Sequence, residues 1–230
     1  MAEFFQELSL FPLVLTLSAF QFGRWCQKKG KHPLLNPLLI AVLVVIGVLL
    51  LLGFDLERYQ TGMKSISWLL TPATVCLALP LYQQIKVLKK DLAAIFAGII
   101  AGTVSCLGFI VLFGALFRLD GAITVSLLPK SITTAIAIVL SENNGGMVAL
   151  TSAAILITGL IGNAAGPVLC KLFHFRNPIA QGVAIGTAAH ALGTVRATEM
   201  GAVQGAVSSL SLVVAGVLTV ILFPLACMLL

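Results

Sequence analysis

From Leu92 to Phe117, and again from Ala202 to Leu230, the chain runs without one charged side chain. A helix needs about 20 apolar residues in a row to cross a bilayer, so runs of this length fix the solvent before any fold is considered. Further apolar segments lie at about 8–23, 36–53, 69–85, 121–141, 147–170 and 179–200. Charged residues make up 10% of the chain, against about 25% in soluble domains, and the mean hydropathy is +1.09. These features predict an all-α polytopic membrane protein with a single domain over residues 1–230. The opening MAEFFQELSLF carries Glu3 and Glu7 and no basic stretch, so a cleaved signal peptide is not expected.

The formal charge of +6 is held in short clusters between the apolar runs. That is where cytoplasmic loops collect Lys and Arg, so the charge needs no nucleic-acid partner. Arg24, Lys28, Lys29 and Lys31 form one cluster, and Lys86, Lys89 and Lys90 another. If both face the cytoplasm, the 92–117 segment exits near Arg118. A spanning 121–141 would then put Lys171 and Arg176 outside, against the rule. A re-entrant 121–141 puts them inside. The same choice recurs at 179–200, and such hairpins survive only where protein or a water-filled cavity satisfies their backbone.

An internal repeat favours the hairpins. At a spacing of 58 residues Leu92 matches Leu150, Gly108 matches Gly166, and Phe117-Arg118 matches Phe175-Arg176. A unit of long apolar helix, Phe-Arg and broken apolar segment thus occurs twice, over about 92–145 and 150–203. With hairpins, Arg118 lies outside and Arg176 inside, so the units are inverted, as in secondary transporters whose broken helices meet near the midplane.

The first broken segment contains LLPKSITTAIAIVL, Leu127–Leu140. Pro129 removes a backbone donor and disfavours helix at Leu128. A helix over Ile132–Leu140 would take Ser131 as its N-cap. Its free amides, the Lys130 ammonium and the hydroxyls of Ser131, Thr133 and Thr134 would suit a small anion. Lys130 is about ten residues from either end of its segment, too far for easy snorkelling; pairing with Glu142 or Glu199 is the other way to hold it. The second broken segment reads GTAAHALGTVRATEMG, Gly186–Gly201. Thr187, His190 and Thr194 share a face if the helix is continuous. His190 either carries a proton or binds a carboxylate, or makes a neutral interhelical hydrogen bond. Arg196 either neutralises substrate charge or anchors the segment end, paired with Glu199. Glu142 and Glu199 are further proton-coupling candidates.

No G-x-S-x-G, H-E-x-x-H or phosphate-binding G-x-x-x-x-G-K-[ST] pattern occurs, so no catalysis is expected. Lys130 and Ser131 are neighbours, and neighbours on a regular element point apart, which argues against a Ser–Lys dyad. Cys26, Cys76, Cys106, Cys170 and Cys227 form no C-x-x-C pair. They read as packing residues, and neither a metal nor another cofactor is expected.

HPLLNPLL (His32–Leu39), LPKSITTAIA (Leu128–Ala137), NGG (Asn144–Gly146), GNAAGP (Gly162–Pro167) and GTAAHALGTVRATEMG together resemble the LrgB/CidB family, including its YohK-like members, over nearly the whole chain. The plant plastid glycolate/glycerate transporter contains a similar domain. The resemblance implies a multi-pass protein of the bacterial inner membrane with a small LrgA/CidA-like membrane partner, in a homo- or hetero-oligomer. It also implies transport of small 2-hydroxy or 2-oxo acids, while older family labels imply antiholin-like control of murein hydrolase export. Lys130, Ser131, Thr133, Thr134, Thr187, His190, Thr194 and Arg196 all stand at matching motif positions. Ala135 departs from the pattern, standing where the family commonly has a second proline.

The expected function is therefore a proton-coupled secondary transporter of small monocarboxylates. Lys130 and the helix start would receive the carboxylate, and the threonines and His190 would bind the 2-hydroxyl or relay a proton. The alternative is a holin/antiholin-like regulatory or pore subunit.

Overall fold

Five long or broken apolar stretches of the sequence become the working part of the fold, and among the described residues none of it is strand. A computed structural model of the chain describes residues 10–30, 37–69, 72, 75, 76 and 78–230. It divides into two units, Met1–Cys76 and Leu77–Leu230. In the first unit, α1 (Phe11–Gly30) packs on α2 (Pro37–Leu52), and α3 (Leu56–Gly62) and α4 (Lys64–Trp68) follow. Gly23 seats the start of α2 by letting Pro37 against the backbone of α1. Thr16 shares a 2.7 Å hydrogen bond with the Tyr59 hydroxyl, which ties α3 back onto α1. Most of the HPLLNPLL motif lies outside the described residues.

The second unit holds α5 (Ala78–Gln83), α6 (Ile85–Lys90), α7 (Leu92–Leu116), α8 (Gly121–Leu127), α9 (Thr134–Asn143), α10 (Val148–Leu172), α11 (Pro178–Met200) and α12 (Ala202–Cys227). The expected apolar segment at 69–85 lies partly outside the described residues; its end is α5, which stops at Gln83, and α6 carries the basic cluster Lys86, Lys89 and Lys90. Among the described residues three helices, α7, α10 and α12, are long and apolar enough to cross a membrane. The chain is an all-α polytopic membrane protein.

Helix α7 turns one stripe inward: Ile95, Ile99, Thr103, Leu107, Ile110 and Gly114, at spacings of three and four. Phe96, Ile100, Val104, Phe109 and Leu112 cover its outer side, the apolar surface a lipid-facing helix requires. α12 lies alongside in the same direction, because Val207 clusters with Ile95 and Ile99 while Phe223 and Ala226 cluster with Leu107 and Ile110. α10 runs the other way between the two broken segments.

Both broken segments are hairpins. In the first, α8 descends along α7, with Thr124 at Gly114, Val125 and Leu128 in one cluster with Leu107 and Ile110, and Ser131 at Cys106. α9 then climbs back, bringing Ser141 to Gly146, and Ser126 accepts a 2.7 Å bond from the Met147 amide at the same level. In the second, Gly182 touches Val207 and Gly186 touches Ser208, whereas Thr198 touches Gly205 and Thr194 bonds Ser208. One stretch of α12 cannot face residues 182–186 and 194–198 at once unless α11 doubles back. It does so at Ala189 (φ −130°, ψ 20°) and His190 (φ 40°, ψ −141°), and Gly193 lies against Ile185.

The hairpins enter from opposite ends of the unit, each following the same chain reversal. Arg118 (φ 50°) and His174 (φ 56°) both end their helix in the left-handed region. Leu119 donates to the Gly114 carbonyl at 2.9 Å, and Phe175 to the Cys170 carbonyl at 2.8 Å, the bond that closes a Schellman cap. Asp120 and Asn177 then cap the next helices by accepting from Ala122 and Ile179. These equivalences put the helix ends 56 residues apart, so Phe117-Arg118 corresponds to Phe173-His174 and not to Phe175-Arg176. One end of the unit carries Lys89, Lys90, Lys171 and Arg176; the other carries Arg118 with Asp120 and Glu142.

This geometry predicts the labelling pattern of single cysteines in a membrane-embedded full-length chain. Gly121→Cys and Asn143→Cys should react with an impermeant maleimide from one side, and Arg176→Cys and Glu199→Cys from the other. A spanning 121–141 segment would instead separate the first pair.

Candidate functional site

The hairpin tips meet beside the middle of α7. Ile132, at the first tip, packs on Ile155 of α10, and His190, at the second, bonds the Ile155 carbonyl at 3.0 Å. Thr187 stands against Gly102 of α7. Between the tips lies a gap of about 10 Å³, lined by Thr103, Cys106, Ser131, Thr187 and Thr219, with Leu107, Leu128, Ile132 and Ala215 as its apolar walls. That is room for about one water, so in this state the tips are closed on each other.

Lys130 sits half-buried at the first tip. Its Nζ lies 3.5 Å from Ser131 Oγ and 3.8 Å from Cys106 Sγ, both long contacts. Irregular backbone at the tip is what turns these two sequence neighbours toward each other, against the expectation for a regular element. The short helix begins later than the sequence predicts. Thr133, with extended backbone (φ −64°, ψ 139°), is the N-cap of α9, and its side chain makes no capping bond. Ser131 is therefore not the cap; it is buried and shares a 3.1 Å hydrogen bond with Cys106. The first amides of α9 thus lack a side-chain acceptor, as an anion-receiving helix end requires. Thr134 is exposed at that end.

The second tip is seated by the GNAAGP motif. Gly162 admits Ala189, Gly159 admits the His190 ring, and Gly166 accepts Ile185. Asn163 donates at 2.7 Å to the Leu192 carbonyl, satisfying backbone that the break frees. His190 is buried, and its φ of 40° is strained for a residue with a Cβ. A carbonyl only accepts, so Nε2 carries the proton and, in the neutral ring, Nδ1 is the acceptor. The break also undoes the expected shared face. Thr187, in the first arm, lines the gap, whereas Thr194, in the second, is bound to Ser208 and the His190 carbonyl at 2.9 Å each.

Other sequence candidates lie apart from the tips. Arg196 donates to Glu199 at 2.6 Å on the surface, at the end where the second hairpin leaves. Glu142 is exposed at the opposite end of the unit. Among the described residues, no carboxylate pairs with Lys130. Thr103, Cys106 and Thr219 were not singled out from the sequence. Thr103 was detectable as the one hydroxyl in the i, i+4 stripe of α7, but inside a long apolar helix such a residue reads as packing.

The model of the LrgB-like family matches residues 16–229. The chain belongs to the LrgB-like family. Curated members named antiholin-like protein LrgB are 39% identical in Bacillus mycoides over 216 residues, 94% of each chain, and 40% identical in Bacillus subtilis over 215 residues, 93% of each. No solved structure matches the chain. For this LrgB-like chain, the seat of the second tip is testable by stability. A methyl on Gly159 would stand 2.6 Å from the His190 ring, whereas one on Gly108 meets nothing within 4 Å. Gly159→Ala should cost about 1–3 kcal/mol of stability, read as a lower Tm in detergent, and Gly108→Ala should not lower it.

Proposed function

We propose that this protein is a secondary transporter of small monocarboxylates in the bacterial cytoplasmic membrane. The observation that carries the reading is the meeting of two oppositely inserted hairpins around a buried gap, with an ammonium at one tip. An ammonium in this setting is costly, about 2.5–3.5 kcal/mol at mid-bilayer on insertion scales, and among the described residues no carboxylate offsets it. A substrate carboxylate on Lys130 and the uncapped start of α9 supplies the missing charge. Thr187 and Ser131 offer hydroxyls to the rest of the acid. The free Nδ1 of His190 takes up a coupled proton beside the second tip. Because the gap holds only about a water, substrate entry requires the tips to part, and alternate parting of the two hairpins exposes the site to opposite sides in turn.

The partner in this reading is a small LrgA-like membrane protein, with which the chain forms a hetero-oligomer. A second reading, an antiholin-like regulator of murein hydrolase export or lysis, draws its support from the name carried by the curated relatives. That name favours it more directly than it favours transport; the tip geometry favours transport. The two diverge in flux.

Vesicles containing the full-length chain, alone or with the LrgA-like partner, should take up labelled lactate, glycolate or pyruvate saturably. Lys130→Ala should cut uptake efficiency about tenfold to a hundredfold at equal protein level, the worth of one charge-assisted hydrogen bond. Passage of unrelated solutes, or no saturable uptake with or without the partner, overturns the transport reading in favour of the regulatory one.

A further inference from the structure

Hydroxyls inside helices ordinarily turn back onto the carbonyl four residues earlier. Thr124 does so onto Asp120, Ser126 onto Ala122, and Thr187, at the gap itself, onto Val183 at 2.7 Å. Thr103 does not. It is 4% exposed, its Oγ1 has no hydrogen-bond partner, and it lines the gap between the tips. A buried hydroxyl with nothing to bond is unfavourable; Ser209 is in the same state, but of the two only Thr103 lines the gap. Cys106, one turn further along α7, touches both Ser131 and the Lys130 ammonium. Three residue steps along a helix rise about 4.5 Å, a distance that a carboxylate and the oxygen on its neighbouring carbon bridge with one hydrogen bond at each end.

We infer that Thr103 is a specificity-determining residue: its hydroxyl binds the oxygen at position 2 of the acid whose carboxylate Lys130 holds. This rests on the transport reading above. Thr103 belongs to an unbroken helix, while Ser131 and Thr187 ride on the hairpins. Its hydroxyl therefore stays in place when either tip parts, and it reads the substrate from both sides of the membrane.

Lactate and propionate differ only in the 2-hydroxyl, so their relative uptake isolates this contact. In vesicles of the full-length protein, the wild type should prefer lactate over propionate by about tenfold or more, since a site built around a hydrogen bond rejects the analogue lacking it. Thr103→Val, which keeps the shape and removes the hydroxyl, should bring the ratio to within about threefold of unity. Thr103→Ser should keep the wild-type preference, and Thr103→Ala provides the hydroxyl-free comparison if the valine does not assemble. An unchanged ratio in the valine or alanine protein overturns the inference, as does an equal loss of both substrates, which marks a structural role. If the wild type takes up neither acid saturably, the transport reading itself fails, an outcome distinct from saturable uptake without a Thr103-dependent preference.

Discussion

Hydrocarbon offers no hydrogen bonds, so backbone polar groups inside a membrane must be satisfied by the protein itself. A helix that breaks there needs a wall of partners around the break. The second unit is arranged to provide that wall twice. Around the Ala189–His190 break, α10 supplies the Ile155 carbonyl, the Asn163 amide and glycines at 159, 162 and 166, and α12 supplies Ser208. Around the first tip, α7 supplies Cys106 and α10 packs Ile155 on Ile132. Small residues do this work because the backbones must approach closely, which is also how helices associate when there is no hydrophobic drive between them. Three continuous helices and two hairpins follow from that single requirement.

Much of this was legible in the sequence. Pro129 announced the first break, and run length announced α7, α10 and α12. Charge counting favoured hairpins at 121–141 and 179–200, and the structure has the chain double back in both. Details failed where local rules met tertiary contacts. Ser131 has the chemistry of an N-cap, but its pairing with Cys106 takes it out of the role and shifts the helix start to Thr134. The helical face of Thr187, His190 and Thr194 assumed a continuity that residue spacing cannot test. The position of the second break depends on a seat in α10, thirty residues earlier in the chain by rough count, a distance beyond any local pattern. Repeat register was misread by two residues because Phe-Arg was matched by identity, whereas the equivalent feature is a left-handed cap that an Arg fills once and a His once.

The hairpins also reconcile the charge. Each returns to the end it entered from, so α7, α10 and α12 are left as the elements of this unit that cross. Lys89, Lys90, Lys171 and Arg176 then share an end, and Arg118 stands at the other with acidic neighbours. That distribution is what the positive-inside rule asks of a chain whose basic end is cytoplasmic.

What the tips leave unsatisfied is as informative as what they satisfy. His190, Thr187, Thr194 and Asn163 all have protein partners for the groups that matter to folding. Two groups at the centre do not follow the pattern: an ammonium with only long contacts to neutral atoms, and the hydroxyl of Thr103. Buried polar groups are ordinarily paired; Thr103 lines the gap, and the Lys130 ammonium reaches Cys106, one turn further along α7. On the transport reading proposed above, together they would be the complement of a small molecule with a negative charge at one end and an oxygen beside it.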